Sequence, residues 1–170
     1  MIQQSSYLKV LEVFFQEPTK IHFIREIGKK IGLAQTSTRM NIKKLLEEEL
    51  IIKKKAHPFD GFVANRDSEK FIHFKQSYNL YSIFEIKKRI VEKIYPKCLI
   101  LFGSYSCGED IETSDIDFLV ISKVKKNIDV SDLEKKLKRK INILFIKDVN
   151  VLDFNLKENL KKGLVLYGRY

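Results

Sequence analysis

Residues 99–121 constrain this chain more than any other stretch. They read Leu-Ile-Leu-Phe-Gly103-Ser104, ten further residues, then Asp115-Ile116-Asp117 and Phe-Leu-Val-Ile. The pattern is strand, glycine turn, polar loop, strand. The apolar run Leu99–Phe102 stops at Gly103, and a second run, Phe118–Ile121, begins where the two acids end. Residues two apart on a strand point to one side, so Asp115 and Asp117 aim their carboxylates together at the mouth of a sheet. Like charges that close repel unless a cation shares them. Mg²⁺ or Mn²⁺ suits the pair, because such ions take oxygens from one or two carboxylates plus a substrate phosphate. Gly103 lets the backbone approach a phosphate, and Ser104 adds a hydroxyl and an N–H donor. The combination points to nucleotide chemistry. A hairpin whose acids only keep a strand end soluble is the plainer alternative.

Gly103-Ser104 and Asp115-Ile116-Asp117 are framed by Phe102, Gly108-Glu109 and Ser114. In this frame they resemble the signature of the minimal nucleotidyltransferases of the DNA polymerase β-like superfamily. The likeness runs from about residue 80 to 168 and includes the closing Gly163-Leu-Val-Leu-Tyr167. It implies a substrate that is ATP or another nucleoside triphosphate, and transfer of its monophosphate, AMP for ATP, to an acceptor hydroxyl with release of pyrophosphate. Asp115 and Asp117 are then the catalytic and metal-binding acids, and Gly103, Ser104 and Asn142 meet the cofactor. Members of the superfamily generally carry a third carboxylate on the strand after the next helix, and the matching position here is Asn142. An amide bears no charge and is no general base. Positioning and charge stabilisation are the larger share of phosphoryl-type catalysis. A weakened enzyme or a nucleotide-binding relic is therefore expected. Asp110 or Asp148 can stand in for the missing acid only if the fold brings one of them close, and nothing in the sequence does so. Cys107, where the family often has arginine, removes a phosphate contact.

The N-terminal third reads differently. Ser5 and Ser6 can cap a helix that turns Leu8, Leu11, Phe14 and Phe15 inward and ends at Glu17-Pro18. A second helix covers Ile21–Ile31, Gly32-Leu33-Ala34 makes a tight turn, and a third helix covers Gln35–Glu49. Its core positions are Thr38, Ile42, Leu45 and Leu46, with Leu50 beyond. Ile51–Ala56 and Phe62–Asn65 read as strands joined by His57–Gly61. This order resembles the winged helix-turn-helix domains of prokaryotic transcription regulators over about residues 5–66. The outer face of the third helix carries Thr36, Ser37, Met40, Lys43 and Lys44, with Arg39 on its flank. Short polar residues there can approach base edges of duplex DNA, while Lys43, Lys44 and Lys53–Lys55, Lys54 among them, can reach phosphates. A basic face used for dimerisation or packing is the competing reading, and Met40 fits it better than base contact.

The fold expected is α+β or α/β. A winged helix-turn-helix domain (1–67) precedes a small nucleotidyltransferase-like mixed sheet with flanking helices (68–170), whose connecting helix spans 68–95. Phe71, Phe74, Tyr78, Tyr81 and Phe84 form an aromatic run there, and a helix from about Leu80 ends at Tyr95-Pro96. Beyond the acids come a basic loop (Lys123–Asn127) and a helix to about Lys140, opened by a Ser131/Glu134 capping box. A strand (Ile141–Ile146), a helix (Val151–Lys162) and a last strand (Leu164–Tyr167) follow.

The formal charge of +10 suggests an anionic partner, but each half of the chain carries +5, so charge alone does not say which half meets it. Many Lys–Glu pairs also fit a heat-adapted surface. The two cysteines fit unlinked thiols in a reducing cytoplasm. No apolar run approaches the about 20 residues of a membrane span, and the N-terminus lacks the pattern of a signal peptide. Two further roles compete with active transfer. One is a DNA-binding regulator whose second domain senses nucleotide or dimerises. The other is an antitoxin that acts by binding. A protein acceptor such as a toxin partner, and a homodimer, are the protein partners these readings bring in.

Overall fold

A serine cap starts the first helix of the computed structural model, which describes residues 5–148, 158 and 160–169. Ser5 Oγ accepts the Leu8 amide at 3.3 Å, satisfying one of the N–H groups a helix start leaves orphaned. Helix α1 (Ser6–Gln16) buries Val10, Leu11, Val13, Phe14 and Phe15. Leu8, expected inward, is exposed.

Helix α2 (Ile24–Ile31) starts three residues later than the sequence suggests. Ile21 and His22 are instead extended, and His22 exchanges backbone hydrogen bonds of 2.8 and 2.9 Å with Phe62. Gly32 ends α2 in the left-handed region (φ 65°), returning its N–H to the Gly28 carbonyl. A Cβ on Gly28 would stand 2.8 Å from the Leu33 carbonyl oxygen and 3.2 Å from Thr38 Oγ1. The glycine that weakens α2 as a helix is therefore what lets the turn and helix α3 (Gln35–Glu47) close on it. Helix α3 buries Thr38, Asn41, Ile42 and Leu45. Asn41 is a polar addition to the expected core; its Nδ2 donates to Ser6 Oγ (3.2 Å) and to the Ser37 carbonyl (2.9 Å). Helix α3 stops two residues short of Glu49, which has positive φ. Strands β1 (Ile51–Lys54) and β2 (Gly61–Ala64) pair antiparallel, Ile51 opposite Ala64. Strand β1 is two residues shorter than its predicted run, and β2 keeps its predicted length but starts one residue earlier.

Helix α4 (Glu69–Ser82) crosses the division of the chain into two compact units, Met1–Ile72 and His73–Tyr170. Its first turn belongs to the first unit, where Phe71 packs on Phe15 and Lys70 Nζ meets Glu48 at 2.7 Å. The sequence suggests one helix from about Leu80; instead α4 ends at Ser82 and α5 (Phe84–Ile94) follows. Ser82 Oγ donates to the Asn79 carbonyl (2.7 Å), the same acceptor that takes the Ile83 N–H at 3.2 Å. A serine competing for a helix carbonyl loosens the ladder at that point.

The second unit is built on a four-stranded mixed sheet. Its strands are β3 (Cys98–Phe102), β4 (Ile116–Ile121), β5 (Ile141–Ile146) and β6 (Leu164–Gly168), in the order β5-β4-β3-β6. Strand β3 runs antiparallel to β4 and β6, while β4 and β5 are parallel. A short helix α6 (Ser104–Cys107) follows β3, in a segment expected as loop. Parallel pairing of β4 and β5 needs a crossover, and α7 (Ser131–Leu137) provides it. Alternation along the strands sends Leu99, Leu101, Phe118 and Val120 to one face, against Ile86, Ile90 and Ile94 of α5 and Leu133 of α7. Cys98, Ile100, Leu119 and Ile121 fill the other face with Leu160.

The capping box at α7 does not form. Val130 is the cap residue, the Ser131 hydroxyl donates to Asp129, and Glu134 Oε1 accepts the Ile141 amide at 2.8 Å. Glu134 thus anchors the next strand instead of its own helix start. Helix α7 also stops at Leu137, with Lys138 in the left-handed region. The helix expected over Val151–Lys162 lies mostly outside the described residues. Both cysteines are free thiols, and no described helix is long and apolar enough to cross a membrane.

Gly28→Ala tests the close approach under α2. Helix propensity alone favours alanine by about 1 kcal/mol. Overlap with a backbone carbonyl should reverse the sign and cost about 1–3 kcal/mol in urea unfolding.

Candidate nucleotide site

Asp115 precedes β4 by one residue and Asp117 is its second residue. On the neighbouring parallel strand, Asn142 is the register partner of Asp117. The Asn142 Nδ2 donates to Asp115 Oδ2 at 3.1 Å and to Asp117 Oδ1 at 2.9 Å. The two carboxylates therefore converge, as their spacing suggests, and they do so on the amide that occupies the expected position of the third acid. All three side chains are half-buried, open on one side to solvent.

Gly103 forms the opposite wall. Its φ of 76° lies in the region that favours glycine, and a Cβ there would stand 3.1 Å from Asp117 Oδ2. A side chain would thus cover the acid from the front. Ser104 begins α6 and is exposed beside it. A small wall, two acids on one amide and an exposed hydroxyl suit a divalent cation carrying phosphates.

The groups that hold this loop are ones sequence reasoning missed. Ser106 Oγ donates to the Gly103 carbonyl at 2.7 Å. From α4, Gln76 Nε2 donates to the Ser106 carbonyl (2.8 Å) and Asn79 Nδ2 to the Tyr105 carbonyl (2.9 Å). Behind the loop, Asp110 is fully buried. Its Oδ1 accepts from Asn79 (2.7 Å), and its Oδ2 accepts from Lys75 Nζ (2.7 Å) and Arg139 Nη2 (3.2 Å). Arg139 also donates to the carbonyl of Ser114, next to Asp115. In residues 71–84 the aromatic spacing masks the polar set Lys75, Gln76 and Asn79. Their i, i+1, i+4 placement on one helix is the signal that could have found them. Tyr105 is buried in the same region; burial pushes its hydroxyl well above the usual tyrosine range, and it pairs with Ser82 Oγ at 2.8 Å.

Asp110 is turned inward to two cations and an amide and does not supply a third acid at the acid pair. Asp148 lies two residues past the far end of β5, away from Asn142 near its start. Cys107 is half-buried in α6.

In the first unit, Thr36, Arg39, Met40, Lys43 and Lys44 lie exposed on α3, with Ser37 half-buried. Lys54 and its neighbours Lys53 and Lys55 are exposed on and just after β1. Lys43 pairs with Glu47 at 3.7 Å, an exposed contact of little energy.

Breaking the buried cluster leaves two cations without their acid. Asp110→Asn should destabilise the second unit by about 3–5 kcal/mol in urea unfolding, while an exposed change such as Glu85→Gln should move it by less than about 0.5 kcal/mol.

A comparison with curated proteins gives no match. The family model described as polymerase beta, nucleotidyltransferase matches residues 84–169, which take in α5, the whole sheet, the Gly-Ser loop, both acids and Asn142. On the strength of that match over half its length, this chain belongs to the polymerase beta nucleotidyltransferase family.

Proposed function

We propose that the second unit transfers a nucleoside monophosphate, AMP from ATP, to an acceptor hydroxyl. The observation that carries this reading is the convergence of Asp115 and Asp117 on one small polar position opposite Gly103. Asp115 and Asp117 would hold Mg²⁺ or Mn²⁺. Such an ion, when bound, neutralises phosphate charge and steadies the charge that builds on the departing pyrophosphate. Gly103 leaves room for the phosphates, and Ser104 offers them a hydroxyl and an amide. In the transfer, an acceptor oxygen bonds to the α-phosphorus as the bond from that phosphorus to pyrophosphate breaks. Asn142 takes no proton, so the acceptor proton passes to solvent. Rate then rests on positioning, which the α4 contacts to the loop support, and turnover is slow relative to a centre with a third acid.

A second reading concerns the first unit. A glycine turn between α2 and α3, followed by a hairpin, fits a winged helix-turn-helix. On this reading α3 enters the major groove of duplex DNA through Thr36, Ser37 and Arg39, with Lys43, Lys44 and Lys54 on phosphates. The chain then acts as a regulator or antitoxin, with nucleotide as its signal and a toxin partner as its protein acceptor. Exposure of that polar and basic face supports it.

Transfer is tested by incubating the protein with α-³²P-ATP, Mn²⁺ and an extract of its own cells. Label should pass to an acceptor, and Asp115→Ala should lower it about a hundredfold or more. Equal labelling by both proteins would overturn the assignment. For the first unit, a gel-shift salt titration on the chain's own promoter checks the basic face. Replacing Lys43 and Lys44 by Ala should reduce the slope of log K against log salt by about 2, roughly one for each phosphate that is no longer neutralised.

A further inference from the structure

Asn142 meets both acids as a donor. An ionised carboxylate only accepts, so the NH₂ end of the amide must face them, one hydrogen to each. Two N–H bonds aimed into the space between the acids leave no place for a cation there. The amide ends, however, are nearly the same shape. A half-turn about the last side-chain torsion, which is soft for asparagine, puts Oδ1 where Nδ2 stood and leaves the two occupied positions nearly unchanged.

The spacing after that exchange fits a metal. Two oxygens at right angles on Mg²⁺, each about 2.1 Å away, lie about 3.0 Å apart. The amide terminus already stands 3.1 and 2.9 Å from the two carboxylate oxygens. Both distances from its position therefore match an edge between neighbouring ligands of an octahedral ion.

Of the protein's own groups here, Asp115 and Asp117 bring two negative charges, which match one divalent cation before a triphosphate adds its own. Among the described residues no group of three His, Cys, Asp or Glu side chains is placed to hold a metal. Asp110, five residues before Asp115, is committed to Lys75, Asn79 and Arg139.

We infer that this centre takes a single divalent cation and that Asn142 is its amide switch. In the free protein the NH₂ bridges the acids; with the ion bound, Oδ1 becomes the third protein ligand. The inference rests on the nucleotidyl-transfer reading, because that reading is what brings the cation to the acids.

The full-length protein, crystallised with Mn²⁺ and a non-hydrolysable ATP analogue, gives the test by anomalous scattering. One Mn²⁺ is expected, on Asp115 and Asp117, with the end of the Asn142 side chain about 2 Å from it. In solution, electron paramagnetic resonance titration should count one Mn²⁺ per chain. Asn142→Asp should raise the count to two and tighten the first by roughly tenfold, through the added charge. Two ions in the unaltered protein overturn the inference and leave the transfer reading standing. So does one ion with Asn142 beyond bonding distance, or a count of one in Asn142→Asp. Absence of Mn²⁺ from the acids in both proteins overturns the inference and the transfer reading together.

Discussion

Buried charge at Asp110 decides the shape of everything around the two acids. An ionised carboxylate removed from water costs several kcal/mol unless it is paired and hydrogen-bonded. Asp110 meets that condition only by collecting Lys75 and Asn79 from α4 and Arg139 from the turn before β5. The same donors reach onward, Asn79 to the Tyr105 carbonyl and Arg139 to the Ser114 carbonyl. The loop from Gly103 to Ser114 is thereby held near both ends to parts of the chain remote in sequence. A loop left to itself would be the most mobile part of such a unit. This one has a buried ion cluster as its floor.

Strand register supplies the rest of the geometry. Parallel pairing places Asn142 opposite Asp117, and the glutamate of α7 fixes the start of β5 by accepting the Ile141 amide. A slip of one residue would turn Asn142 to the other face of the sheet. The amide therefore stands where the family resemblance leads one to expect an acid. What differs at residue 142 is chemistry: a neutral donor-acceptor in place of a charged acceptor.

The order of elements was legible because it follows from period and punctuation. Gly32 and Gly163 mark turns, the apolar runs mark β3 and β4, and the i+2 spacing of Asp115 and Asp117 sends both to one side. Where local reading failed, a distant partner had intervened. His22 reads as helical but is held extended by Phe62. Ser131 and Glu134 look like a capping box but spend their side chains on Asp129 and Ile141. Ser82 splits what reads as one helix. The ion cluster was invisible for the same reason. Lys75, Asp110 and Arg139 are ordinary surface residues until the fold brings them together, and charge in sequence carries no mark of burial. Asn142 was legible as a position but not as a bridge between the acids, since a hydrogen bond depends on side-chain torsions that no pattern encodes.

The bridge changes how the two states of the centre compare. Three carboxylates in this space would repel one another in the absence of a cation. With an amide as the third group, the free protein instead gains two hydrogen bonds to charged acceptors, each contributing about 1.5–3 kcal/mol. An arriving cation must replace both before its own ligation counts. The oxygens of a triphosphate are the ligands best able to offset that, because they bring negative charge the protein has left out. On the proposed reading, a centre with two acids and an amide would lean on its substrate to complete the cation site.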